Sequence, residues 1–81
     1  MGAVFGNGSI YSVHVYEDKE NHYNRTFEGD RAFSEANDVF ENMKSDPTAR
    51  ELWLVRWDGS EWKFVTKPIK RNAMGEWEAN P

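Results

Sequence analysis

The run from Glu51 to Val65, ELWLVRWDGSEWKFV, constrains the fold more than any other part of the chain. Two segments of β-branched and aromatic residues flank Asp58-Gly59, a pairing that marks a β-hairpin more strongly than any other short sequence signal. A loop of two or four residues places Trp53, Val55 and Trp57 on the same sheet face as Trp62 and Phe64. Leu54, Arg56, Glu61, Lys63 and Val65 then share the other face. A loop of odd length without a bulge scrambles that sorting, so the even register is expected.

The first half reads as a second hairpin and a helix. Ile10 to Tyr16 alternates, with Tyr11, Val13 and Val15 on one side and Ser12, His14 and Tyr16 on the other. Glu17 to Asn21 is a polar turn in which Asn21 suits a left-handed conformation. A second strand from about His22 to Glu28 carries Tyr23 and Phe27. Gly29 ends it, and Asp30 is the expected helix N-cap. Phe33, Ala36, Phe40 and Met43, with Ala32 and Val39, form a stripe at helical spacing, and Ser45-Asp46-Pro47 stops the helix. Pro68 closes the last predicted strand. The expected architecture is α+β: a four-stranded antiparallel sheet of two hairpins with one helix on one face, in the order β-β-α-β-β. Residues 1–81 form one small domain in this reading, with 1–9 flexible and 70–81 an irregular tail.

Without cysteine, neither a disulfide nor a cysteine-ligated zinc can staple the chain, so packing must hold it. The twelve aromatic residues are the obvious material, which favours a core role for the Trp and Phe side chains. The single helix is expected to roof the face that carries Trp53, Trp57, Trp62 and Phe64. No apolar run approaches the length of a membrane span, and the N-terminus has no secretory pattern, so a cytoplasmic protein is expected.

One stretch carries a likeness. Phe27, then Ala36 and Phe40-x-x-Met43 on the helix, Asp46-Pro47 at its end, and Leu52-x-Leu54-x-x-Trp57-Asp58-Gly59 resemble small uncharacterised proteins of tailed bacteriophages. The matched stretch covers about 30 of the 81 residues and consists of core and turn positions. The resemblance implies a small module that binds and diverts a host protein in the host cytoplasm. It implies no catalytic residue.

Sites with chemistry are few. His14 and His22 lie near the ends of neighbouring strands, with Glu17, Asp18 and Glu20 nearby, but the loop lacks the central Gly and distal Glu of an EF-hand. A solvated polar turn is the simpler reading. The serines sit in no nucleophile elbow, and Gly6-Asn7-Gly8 precedes a strand instead of linking one to a helix. These patterns predict a non-enzyme without cofactor or metal.

Charge separates the binding readings. Fourteen acids and ten bases give a net charge of −4, against the basic balance of general nucleic-acid binders. Residues 1–46 hold nine acids and four bases. Glu35, Asp38 and Glu41 on the helix could imitate the phosphate charge of a nucleic acid and occupy a basic groove of a host protein. Trp77, alone in a polar tail, either folds back over a sheet edge or anchors a partner. The alternative is a single-stranded nucleic-acid module on hairpin 51–66, with Trp57 and Trp62 stacking bases and Arg56, Lys63, Lys67, Lys70 and Arg71 holding phosphates. The preferred expectation is a small acidic protein that modulates or inhibits a host protein, as a monomer or homodimer. Its expected contacts are Glu35, Asp38, Glu41 and Trp77.

Overall fold

The computed structural model describes residues 9–79. Strands β1 (Ser9–Tyr16) and β2 (His22–Gly29) form the first hairpin, followed by helix α1 (Ala32–Met43). Strands β3 (Glu51–Trp57), β4 (Trp62–Phe64), β5 (Ile69–Arg71) and β6 (Trp77–Ala79) complete the sheet. Among the described residues the fold is α+β with an antiparallel sheet and one helix on one face, as expected, but the sheet has six strands where four were expected. The expected irregular tail contains the additional hairpin, β5 and β6. The expected flexibility of 1–9 falls, up to residue 8, outside the described residues; Ser9 already pairs with Gly29.

Long β1 is central, with β2 on one side and β3 on the other. The outer edge of β3 is shared: β4 pairs with Val55–Trp57, and β5 pairs with Glu51 and Leu52. The expected even register of the aromatic hairpin holds, with Trp57 opposite Trp62 and Val55 opposite Phe64 across a four-residue loop, Asp58–Glu61. Gly59 adopts φ 104°, which a side chain resists, and so explains the Asp-Gly pair. The Asp58 carboxylate accepts the N–H groups of Ser60 and Glu61 at 2.8 and 2.9 Å and pins the loop.

Two local expectations are corrected. Asn21 does not take a left-handed conformation: no non-glycine residue among those described has positive φ. The Asp18 carboxylate orders that turn, accepting the N–H groups of Glu20 and Asn21 and the Asn21 side-chain amide. At the helix start, Arg31 rather than Asp30 holds the N-cap position, and no side chain caps it. Gly29, at φ 107°, turns the chain out of β2, so the helix begins one residue later than the carboxylate could serve.

The larger correction concerns which face the helix covers. α1 packs on Val13, Val15, Leu52 and Leu54, each at most 1% exposed, through Ala36 and Phe40. It does not roof the Trp53, Val55, Trp57, Trp62 and Phe64 face. Burying each of those four aliphatic side chains stabilises the fold by about 1.5–3 kcal/mol. The small Ala36 and Ala49 allow the helix and the chain after it to sit close to the sheet. Among the described aromatic residues only Phe40 is buried, so aliphatic residues make the core that the aromatics were expected to make. No helix among the described residues is long and apolar enough to cross a membrane.

Candidate functional site

Strand alternation sends Ser12, His14 and Tyr16 of β1 to the face that α1 leaves open, together with Glu51, Trp53, Val55 and Trp57 of β3 and Trp62 and Phe64 of β4. On this face the rings pack on one another. Trp53 meets Phe64 edge-on at 5.3 Å, and Trp57 meets Trp62 at 5.4 Å. Tyr16 stacks on His22 at 4.7 Å and touches Trp53 at 5.0 Å. These contacts bury Val55 yet leave Trp62 45% and Phe64 51% exposed.

Between the rings lies an open groove of about 290 Å³, lined by Ser12, His14, Asn24, Trp53, Val55, Trp62 and Phe64. Its walls are apolar, and its polar end is already satisfied. The Ser12 hydroxyl donates to the Arg25 carbonyl at 3.1 Å and accepts from Asn24 at 3.3 Å and from Thr26 at 3.2 Å. His14 is the exception, because its Nδ1 is buried without a hydrogen-bond partner. Burial, and secondly the neighbouring His22 ring, hold the His14 pKa below its ordinary value and keep the imidazole neutral at pH 7. The two histidine rings approach to 6.3 Å, but among the described residues no three His, Asp or Glu side chains gather to hold a metal ion.

The residues named for nucleic-acid contact divide between places. Trp57, Trp62 and Lys70 stand on the open face, Lys70 opposite Glu51. Arg56 and Lys63 pair with each other across the strands and point to the helix side. Lys63 is engaged by Asp58 at 3.1 Å and Glu61 at 3.8 Å. Lys67 lies exposed in the loop between β4 and β5. Arg71 is committed to structure, donating to the carbonyls of Lys44, Asp46, Ala49 and Gly75.

Of the residues named for partner contact, Glu35, Asp38 and Glu41 are exposed on the helix, and Glu41 pairs with Lys44 at 3.0 Å. They lie on the layer opposite the groove. Trp77 folds back, the first of its two alternatives: its ring packs on the core and its Nε1 donates to the Lys44 carbonyl at 2.9 Å. Sequence reasoning put Trp53 and Phe64 on the face of Trp57 and Trp62 without naming them as contacts, weighed His14 only beside His22 for a metal, and left out Asn24. Alternation within one hairpin does not show which face of β1 and β2 lies beside it. No known protein family, characterised protein or solved structure matches the chain.

Proposed function

We propose that this protein is a non-enzymatic binding module that docks a partner protein on the open aromatic face of its sheet. The observation that carries the reading is the groove between Trp53, Trp62 and Phe64, the last two rings about half-exposed, on a face that none of the described elements covers. Exposed aromatic side chains around a concavity are the commonest anchors of protein interfaces. About 290 Å³ holds one large apolar side chain of a partner with room for its neighbours. The resemblance to tailed-phage proteins supports a host protein as that partner, and occupation of its surface as the means of modulating it. Mimicry by Glu35, Asp38 and Glu41 is a separate surface, with its own prediction of salt-sensitive binding.

The test is affinity capture from lysate with three baits. The wild-type chain and an E35Q/D38N/E41Q variant should retain the same protein, and a W62A/F64A variant should lose it. Loss with the helix variant and retention with the aromatic variant would move the site to the helix.

One observation favours a second reading: open sheets with exposed rings also stack single-stranded bases. The charge distribution around the rings opposes it, since Arg25, Arg56 and Lys63 all take the helix side of their strands and Lys70 stands at one end of the open face. Quenching of tryptophan fluorescence by a thymidine oligonucleotide, reversed by salt, would favour it over protein docking.

A further inference from the structure

Next to the aromatic groove, at the sheet end where Tyr16, Glu51 and Lys70 share the open face, is a second cleft of about 380 Å³ lined by Tyr16, Asp18, Lys19, Arg50, Glu51, Lys70 and Arg71. The two adjoin through Tyr16 and Trp53, whose rings lie 5.0 Å apart. In a chain of net charge −4, this cleft gathers four cations against two carboxylates. Both carboxylates are already occupied. Asp18 accepts three hydrogen bonds from its own turn, and Glu51 Oε2 accepts the Trp53 indole N–H at 2.7 Å. Arg71 is consumed by backbone carbonyls, whereas Lys19, Arg50 and Lys70 are exposed and make no ion pair among the described residues. Exposed cations without partners beside an apolar groove make a two-part surface.

We propose that this surface binds an acidic peptide segment: one large apolar side chain enters the aromatic groove while a carboxylate beside it enters the cationic cleft. This rests on the docking reading above and names the chemistry of the partner. Along β3, Trp53 and Glu51 stand two residues apart, about 7 Å, and an extended ligand advances about 3.3 Å per residue. The carboxylate therefore belongs about two to four residues from the apolar anchor. A peptide suits the face better than a nucleic acid does. The free cations are confined to one end, and a phosphate backbone running from there across the sheet would meet Glu28 opposite Ile10 at the far side.

The experiment is selection from a bead library of random ten-residue peptides against the immobilised full chain, with W62A/F64A and R50Q/K70Q chains as counterparts. Retained peptides should carry Asp or Glu about two to four residues from a Trp, Phe, Leu or Ile. A peptide of that kind should bind R50Q/K70Q at least about fivefold more weakly than wild type, and more weakly as salt rises. Apolar peptides without acids, or equal binding to R50Q/K70Q, would overturn the acidic-segment inference and leave groove docking standing. Equal retention by wild type and W62A/F64A would overturn both. Two other occupants have their own signatures. Salt-reversible binding of a thymidine 12-mer in place of peptides would assign the face to nucleic acid. Concentration-dependent dimerisation abolished by W62A/F64A would assign it to a second copy. Either result overturns the proposal.

Discussion

Arg71 and Trp77 converge on one acceptor: the guanidinium and the indole N–H both donate to the carbonyl of Lys44, at 3.1 and 2.9 Å, with the guanidinium 4.4 Å from the ring centre. That carbonyl belongs to the last turn of the helix, where backbone acceptors have no intrahelical donor. Arg71 also satisfies Asp46 and Ala49 in the connection to β3. One planar group therefore ties the helix end, the connection and the β5–β6 hairpin together. Arg71→Ala should destabilise the fold by about 3 kcal/mol, a melting point lower by about 15 °C. Arg71→Lys should recover little, because an ammonium cannot reproduce the planar fork. Thermal denaturation followed by circular dichroism checks both.

Trp77 closes the same corner from the other side. Its ring covers the core and is itself covered by Arg71, so removing either should weaken what the other contributes. Trp77→Ala should cost about 2–3 kcal/mol and Trp77→Phe about 1, the latter reporting the lost bond to Lys44. A double-mutant cycle with Arg71→Ala should give a coupling of about 1 kcal/mol, and additive effects would refute the shared role.

Much of this fold was legible because the strands alternate and the Asp-Gly turn is unambiguous. The faces of β1, the shared face of Trp57 and Trp62 and the helix stripe apart from Phe33, which is 46% exposed, follow from spacing. The four-residue loop that sets Trp57 opposite Trp62 was one of two even lengths expected. The side of the sheet the helix would cover was not legible. Strand β3 is apolar on both faces, Leu52 and Leu54 on one and Trp53, Val55 and Trp57 on the other, so period-two alternation sorts the faces without ranking them. Volume favoured the tryptophans as core, whereas the observed packing uses the smaller, aliphatic face, against which Ala36 can bring the helix close. The β5–β6 hairpin escaped notice because three-residue strands carry no measurable period. The groove was half legible: its rings were named, but its uncovered state depended on the choice of face.

That choice has a direct mutational signature. Leu54 is 1% exposed under the helix, so Leu54→Ala should cost about 3 kcal/mol or more. Trp62 is 45% exposed, and Trp62→Ala should cost no more than about 1 kcal/mol despite the larger side chain removed. Urea denaturation of the two variants orders them, and a greater loss for Trp62→Ala would mean that a covering element sits on the aromatic face.

His14 gives the open face a pH dependence. Its folded-state pKa lies below the ordinary 6.5, because of burial first and His22 second. Well above pH 6.5 the ring is neutral in both folded and unfolded chains and makes no difference to stability. As the pH falls through 6.5, the unfolded chain takes up the proton first and stability declines, until the folded His14 titrates as well. The titratable groups facing the ring are His22 across the hairpin, with Glu51 and Lys70 farther along the sheet. The urea midpoint should fall between about pH 7.5 and about pH 5.5, and His14→Gln should flatten that decline. An unchanged slope in the variant would assign the dependence elsewhere.

Asp58 contributes to the acid limb, alongside Asp18 and Asp46, whose carboxylates their turn hydrogen bonds also hold below the ordinary value. The N–H groups of Glu61 and Ser60, and then the Lys63 ammonium, hold its carboxylate at about 2, below the ordinary 3.8. A depressed folded-state value means that the stabilisation is complete above 3.8 and is lost as the pH falls from there through about 2. Protonation removes the acceptor that pins the loop, and the Trp57–Trp62 contact at its base should loosen with it. Tryptophan fluorescence should therefore change across that window in the wild type. Asp58→Asn keeps an acceptor oxygen for the turn but has no charge to lose, so its signal should stay flat there while its neutral-pH fold persists. Asp58→Ala should show the loosened hairpin already at neutral pH. A wild-type transition retained in Asp58→Asn would locate the acid-sensitive group outside the turn.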